Sequence, residues 1–114
     1  MNVDDMQQNA NAAAELLKTL ANPTRLMVVC NILKQEHTVG ELEKLIGINQ
    51  SALSQHLSRL RHEGIVNCRR EGQNAYYFLQ DERSRHIIKA LYGIFCETDS
   101  MCLEQSVELE TDNQ

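Results

Sequence analysis

The residues of this 114-residue chain best suited to redox, nucleophilic or metal chemistry are Cys30, Cys68, Cys96 and Cys102, with His37, His56, His62 and His86. No two cysteines form a Cys-x-x-Cys unit on a βαβ frame, which is what a thiol oxidoreductase would use. Thiols in a reducing compartment instead suit a metal site, a redox switch or plain packing. Cys30, taken singly, fits a core, because cysteine is among the most buried residue types. A second group is polar. Gln50, Ser51, Ser54, Gln55, Ser58 and Arg59 fall within ten residues with no acid among them. Such side chains can donate to and accept from base edges, and Arg59 can pair with phosphate or guanine. Arg69, Arg70, Gln73 and Asn74 form a third group, suited to backbone phosphates or a minor groove.

The elements that must position these groups are legible from periodicity. Met6, Ala10, Ala13, Ala14, Leu16, Leu17 and Leu20 recur at helical spacing, which predicts a helix over Asp4 to Leu20. Asn22-Pro23 is a helix start, since Asn can accept from orphan N–H groups and Pro has none to waste. The second helix runs to about Gln35, with Leu26, Val29, Cys30 and Leu33 on its expected buried stripe. Thr38-Val39-Gly40-Glu41 has the capping-box pattern and opens a short helix ending near Gly47. Gln50 to Glu63 is a fourth helix, closed by Gly64. At 100° per residue it sets Ala52, Leu53, Leu57 and Leu60 on one side and Ser51, Gln55, Ser58, Arg59 and His62 opposite, with Gln50 and Ser54 at the flank. Ile65 to Arg70 and Ala75 to Leu79 are β-prone runs around a turn at Glu71 to Asn74. Ile87, Ile88, Leu91, Tyr92, Ile94 and Phe95 return to helical spacing from about Glu82 to the low hundreds. The order is ααααββα: a mainly α winged helix-turn-helix with a small hairpin over residues 1–103, followed by an acidic, disordered tail over 104–114.

Composition sets the outer bounds. One domain is expected at this length, which excludes a multidomain enzyme. Aromatics at 4% with no Trp leave aliphatic side chains to build the core. The net charge of −5 argues against uniform attraction to nucleic acid or membrane, but the charge is segregated. Residues 1–50 carry four basic and six acidic groups, residues 51–90 seven and four, and residues 91–114 none and six. The middle segment is thus locally basic, a hint of a surface that faces a polyanion. No apolar run approaches the roughly 20 residues of a spanning helix, and Asp4 and Asp5 stand where a secretory signal would be positive. A cytoplasmic protein is expected.

Asn22-Pro23-Thr24-Arg25-Leu26, Val39-Gly40-Glu41-Leu42, Gln50-Ser51-Ala52-Leu53-Ser54-Gln55-His56-Leu57-Ser58-Arg59-Leu60 and Glu63-Gly64-Ile65-Val66 resemble the ArsR-type repressors over roughly residues 10–97. The resemblance implies a non-enzymatic, winged-helix homodimer whose first and last helices form the interface. It also implies that the fourth helix of each subunit enters the major groove of double-stranded DNA at an imperfect palindrome. Metal sensing fits poorly. Where thiolate-type members carry Cys-x-Cys, this chain has Glu41-Leu42-Glu43-Lys44-Leu45, and where zinc-type members carry Asp-x-His, Asp81 is followed by Arg83. His86 lacks the second histidine such a site would add, and zinc normally wants four ligands. No metal or cofactor is therefore expected.

Cys30 and Cys96, 66 residues apart, are placed as in the sulfide- and persulfide-responsive, BigR/SqrR/HlyU-like branch of that family. That likeness implies that reactive sulfur species convert the pair into a disulfide or a longer sulfur bridge and lower DNA affinity. A disulfide needs Cα atoms about 4.4 to 6.8 Å apart, whereas inserted sulfur relaxes the limit. One thiol must also gain thiolate character, and Arg25 is a conceivable electropositive neighbour of Cys30. Other outcomes stay open: a metal held by thiolates such as Cys96 and Cys102, a general oxidant as signal, an anti-repressor or activator of virulence genes, or a protein-interaction module. Cys68 and Cys102 have no counterpart in the pattern.

Overall fold

Asparagine and threonine side chains start four of the helices. In the computed structural model, which describes residues 2–96, α1 (Val3–Leu20) opens with the Asp4 N–H donating to the side chain of Asn2. α2 (Pro23–Lys34) opens on Asn22, with Pro23 in its first turn, and α4 (Gln50–His62) opens on Asn49. In each of these a side-chain oxygen takes one of the backbone donors a helix start leaves unmatched. α3 (Val39–Ile46) has the full capping box: Thr38 accepts from the Glu41 N–H, and the Glu41 carboxylate accepts from the Thr38 N–H. That backbone donor, and then the ring of His37, hold Glu41 below the usual carboxylate range. α3 ends at Gly47, whose φ of 83° is a left-handed turn that side-chain-bearing residues avoid. α4 begins three residues later, at Gln50.

The hairpin is longer and tighter than its sequence suggests. β2 (Val66–Glu71) and β3 (Asn74–Leu79) pair antiparallel out to Glu71 and Asn74, so Gly72 and Gln73 alone make the turn. Gly72 lies at φ 64°, as two-residue hairpin loops demand. Its base is closed by Gln80, which accepts from the Asn67 amide and donates to the Gly64 carbonyl. A third strand was not anticipated. β1 (His37–Thr38) pairs with Tyr77 and Tyr76 of β3, giving a sheet of order β1-β3-β2. Two residues cannot show an alternating pattern, and Thr38 was already committed to capping α3.

Two compact units divide the chain at Asp81 and Glu82. In the first, Val28, Val29 and Ile32 of α2, Leu42 of α3, and Leu53, Leu57 and Leu60 of α4 join Ile65, Val66 and Leu79 in an aliphatic core, all at most 7% exposed. The stripe expected on α2 is rotated: Leu26, Cys30 and Leu33 are only half-buried, because the face that packs is centred on Val28, Val29 and Ile32. The second unit is α5 (Glu82–Phe95), which buries Ser84 and Ile88 and leaves Tyr92, Ile94 and Phe95 exposed. The expected extension to the low hundreds, Cys102 and the tail all lie outside the described residues. No described helix is long and apolar enough to cross a membrane.

Leu57→Ala removes a side chain that is 2% exposed and should cost about 2–5 kcal/mol, the range for a buried large-to-small change. Asn49→Ala, a lost cap, should cost about 0.5–2 kcal/mol in the same urea titration. Equal losses would mean that α4 is held by its ends rather than by its seam.

Candidate nucleic-acid interface

Burying Leu53, Leu57 and Leu60 leaves α4 one way to face solvent. Gln50, Ser51, Ser54, Gln55, Ser58 and His62 are all exposed there, as the 100° spacing requires. The first turn carries no acid and the last carries Arg59, Arg61 and His62. Arg59 differs from its neighbours. It is half-buried, its Nε is shielded without a hydrogen-bond partner, and it lies 3.7 Å from the Glu63 carboxylate one turn on. Its charge therefore has a local counterion. The result is a face of neutral donors and acceptors with cations at one end.

The hairpin sorts its two arginines into different positions. Arg69 donates through Nε to Glu36 and through a terminal nitrogen to Glu71, each at 2.6 Å, and its guanidinium stacks 4.8 Å above the Tyr76 ring. The Glu71 and Glu36 carboxylates hold its proton more tightly than usual. Arg70, Gln73 and Asn74 are exposed around the turn. Alternation along a strand explains the split, since adjacent residues point to opposite faces. Arg69 straps the hairpin to Glu36 in the link between α2 and β1, while Arg70 projects from the other face.

Arg25 also does something its spacing did not disclose. Its Nε donates to the Thr19 carbonyl in the last turn of α1, and its terminal nitrogen donates to Nδ1 of His56 on α4 at 3.4 Å. The electropositive neighbour expected for Cys30 is thus turned toward α1 and α4. Guanidinium has donors only, so this contact requires Nδ1 of His56 to accept, as it does in the neutral ring protonated on Nε2. Partial burial, and then the Arg25 charge, push its pKa down. Sequence reasoning gave His56 to neither face of α4; its position on the flank was the available sign.

Cys30 is half-buried in α2, Cys68 is half-buried in β2 opposite Tyr77, and Cys96 is exposed just after α5. Among the described residues no group of three or more His, Cys, Asp or Glu side chains is arranged to hold a metal ion. His37 is buried and donates through Nδ1 to Glu41 at 3.1 Å.

The segment from the cap of α2 to the start of β2, residues 22–67, matches the model of bacterial regulatory proteins of the arsR family. The match extends much further in individual proteins. The biofilm growth-associated repressor of Xylella fastidiosa is 48% identical over 96 residues, covering 84% of each chain. The chain belongs to the ArsR family. The transcriptional activator HlyU of Vibrio cholerae is 40% identical over 99 residues, covering 87% of this chain and 92% of that one. The crystal structure of the repressor BigR from Xylella fastidiosa superposes with a TM-score of 0.80 at 48% identity, covering 84% of this chain and 98% of that one. This ArsR-family protein is therefore a winged-helix, DNA-binding transcriptional regulator rather than an enzyme.

The two arginines of the hairpin should separate in a chemical test of rigidity. Arg69→Ala should speed chymotryptic cleavage at Tyr76, Tyr77 and Phe78 by freeing the strapped strands, while Arg70→Ala leaves the rate unchanged. Equal rates for both would show that the ion pairs of Arg69 do not brace the hairpin.

Proposed function

We propose that the protein is a homodimeric repressor that binds an imperfectly palindromic duplex through α4 and the hairpin, and releases it when reactive sulfur species join Cys30 to Cys96. On this reading Gln50, Ser51, Ser54, Gln55 and Ser58 face the bases. Arg59, Arg70, Gln73 and Asn74 hold the backbone, and Arg69 contributes by bracing the hairpin that presents Arg70. Dimerisation is supported by apolar side chains left in water: Val3, Met6 and Leu17 on α1, and separately Tyr92, Ile94 and Phe95 on α5. A two-fold pair of reading helices matches a palindromic site.

The sensing half rests on one observation: Cys30, half-buried within α2, and Cys96, exposed just after the end of α5, are thiols that a small reagent can reach. The chemistry balances. The Cys30 thiolate takes the outer sulfur of a donor persulfide R–S–SH, giving Cys30–S–SH and R–SH. Attack by the Cys96 thiolate on the Cys30 sulfur then forms the disulfide and expels hydrogen sulfide, the sulfur taken up being reduced as the two thiols are oxidised. If both cysteines carry an added sulfur, condensation with loss of one hydrogen sulfide leaves a trisulfide. Acting as repressor accords with the Xylella fastidiosa relative. The Vibrio cholerae relative is named an activator, and the same DNA occupancy would activate a promoter by displacing another repressor.

Intact-mass spectrometry and peptide mapping after glutathione persulfide, peroxide or glutathione disulfide should find a Cys30–Cys96 bridge, with added sulfur only from the persulfide. Cys30→Ser should bind DNA and fail to release it on persulfide treatment. Normal release, or a stoichiometric metal that disappears with Cys96→Ser, would overturn the sensing mechanism. Gln55→Ala should weaken binding to a selected duplex by about 1–3 kcal/mol and spare random DNA. Arg70→Ala should weaken both alike and reduce the salt slope by about 1.

A further inference from the structure

Arg25 stands where three elements meet. Its backbone N–H donates to the Asn22 cap, its Nε to the Thr19 carbonyl, and its terminal nitrogen to His56. Thr19 lies in the last turn of α1, where carbonyls have no partner within the helix, so a guanidinium there meets both an orphan acceptor and the negative end of the helix dipole. Thr19 itself is fully buried, and its hydroxyl donates to the Glu15 carbonyl, so the acceptor is fixed in place. The other end of the link enters α4 at the residue beside Gln55, between the buried Leu53 and Leu57. Arg25 thus ties the C-terminus of α1 to the middle of the DNA-reading helix.

The tie holds in one protonation state of His56. Guanidinium has donors only, so Nδ1 must offer a lone pair. A proton there replaces the acceptor with an N–H and sets two cations 3.4 Å apart. Of the charged groups on α1, α2, α3 and β2, Arg25 is the one, among the described residues, whose field registers at the ring. Among the described residues no carboxylate counters that repulsion.

We propose that Arg25 and His56 are positioning residues forming a proton-sensitive latch: with His56 neutral, α4 is held in register for DNA, and protonation of His56 opens the latch and lowers DNA affinity. Burial and the Arg25 charge both favour the neutral ring, so the latch is closed at neutral pH. Because the folded pKa lies below the unfolded one, the stabilisation His56 contributes is present above about pH 6.5 and is lost as pH falls through the lower, folded value.

The inference rests on the assignment of α4 as the reading helix, and the test separates the two. The probe is a duplex that the full-length reduced protein selects from a random pool at pH 7.5. Its affinity is measured at pH 7.5, 6.5 and 5.5 for the wild type, His56→Asn and Arg25→Gln. The Asn side chain places an oxygen acceptor near the Nδ1 position and does not titrate in this range. His56→Asn should match the wild type at pH 7.5 and bind about fivefold or more tightly than it at pH 5.5, the lower end of ordinary coupling. Arg25→Gln removes the repulsion and should flatten the pH dependence as well, while binding more weakly at pH 7.5. Circular dichroism and thermal melts at each pH report whether each variant is folded. Should His56→Asn be unfolded, the ring carbon and nitrogen shifts of His56 in wild type and Arg25→Gln decide instead, with a higher His56 pKa expected in the variant. Parallel pH profiles for wild type and folded His56→Asn, or an unmoved ring pKa, would overturn the latch. Failure to select any duplex at pH 7.5 would overturn DNA reading by α4.

Discussion

Three leucines decide which side of α4 faces solvent. Leu53, Leu57 and Leu60 stand at i, i+4 and i+7 and are at most 2% exposed. Each is worth about 1.5–3 kcal/mol buried rather than exposed, so together they rival the roughly 5–15 kcal/mol that keeps a small domain folded. Rolling the helix by one residue would forfeit much of that. The serines and glutamines opposite have no comparable preference of their own, so their orientation is imposed by the core. The capped start at Asn49 and the left-handed turn at Gly47 then fix where the helix begins relative to α3. A chemically bland face becomes a precise one because its reverse side cannot move.

Electrostatics refine that face without creating it. The chain carries a net −5, so its overall field repels a polyanion, yet screening at physiological salt confines such fields to about 8 Å. Only groups near contact distance matter. Within the first unit, Arg69 is answered by Glu36 and Glu71, and Arg59 is faced by Glu63, while Arg61 and Arg70 are exposed. Carboxylates near the hairpin thus hold one arginine in place for structure, and their cost to long-range attraction is small.

The fold was legible where information is local. Asn22-Pro23, Thr38 with Glu41, and the leucine spacing of α4 each act within one or two turns, and each helix of the first unit formed where those signals lie. β1 was illegible because its two residues acquire meaning only from Tyr76 and Tyr77, some forty positions on. The same holds for side chains. Nothing adjacent to Arg69 distinguishes it from Arg70, since Glu36 is 33 residues away. His56 meets Arg25 across 31 residues. Cys30 was placed on a buried stripe because Leu26, Val29 and Leu33 form a fair helical pattern, but Val28 and Ile32 make a better one, and burial followed the β-branched pair. That rotation matters chemically, because it leaves Cys30 half-exposed rather than sealed in the core.

α2 is the helix shared by the thiol and the Arg25–His56 pair. It carries Arg25 near its start and Cys30 five residues later, about 7.5 Å along the axis and well around the circumference. Its buried face is a run of Val28, Val29 and Ile32 packed among the leucines of α4. A helix of twelve residues anchored so closely responds as a body, because a packed interior transmits displacement rather than absorbing it. A sulfur bridge drawn on Cys30 and a proton placed on His56 would therefore load the same helix from different sides, one through a covalent tether and one through the loss of a polar tie. Coupling to DNA then requires no chain of contacts from the thiol to the bases. It requires that α2 have two rest positions, and that Arg25 reach His56 in only one of them.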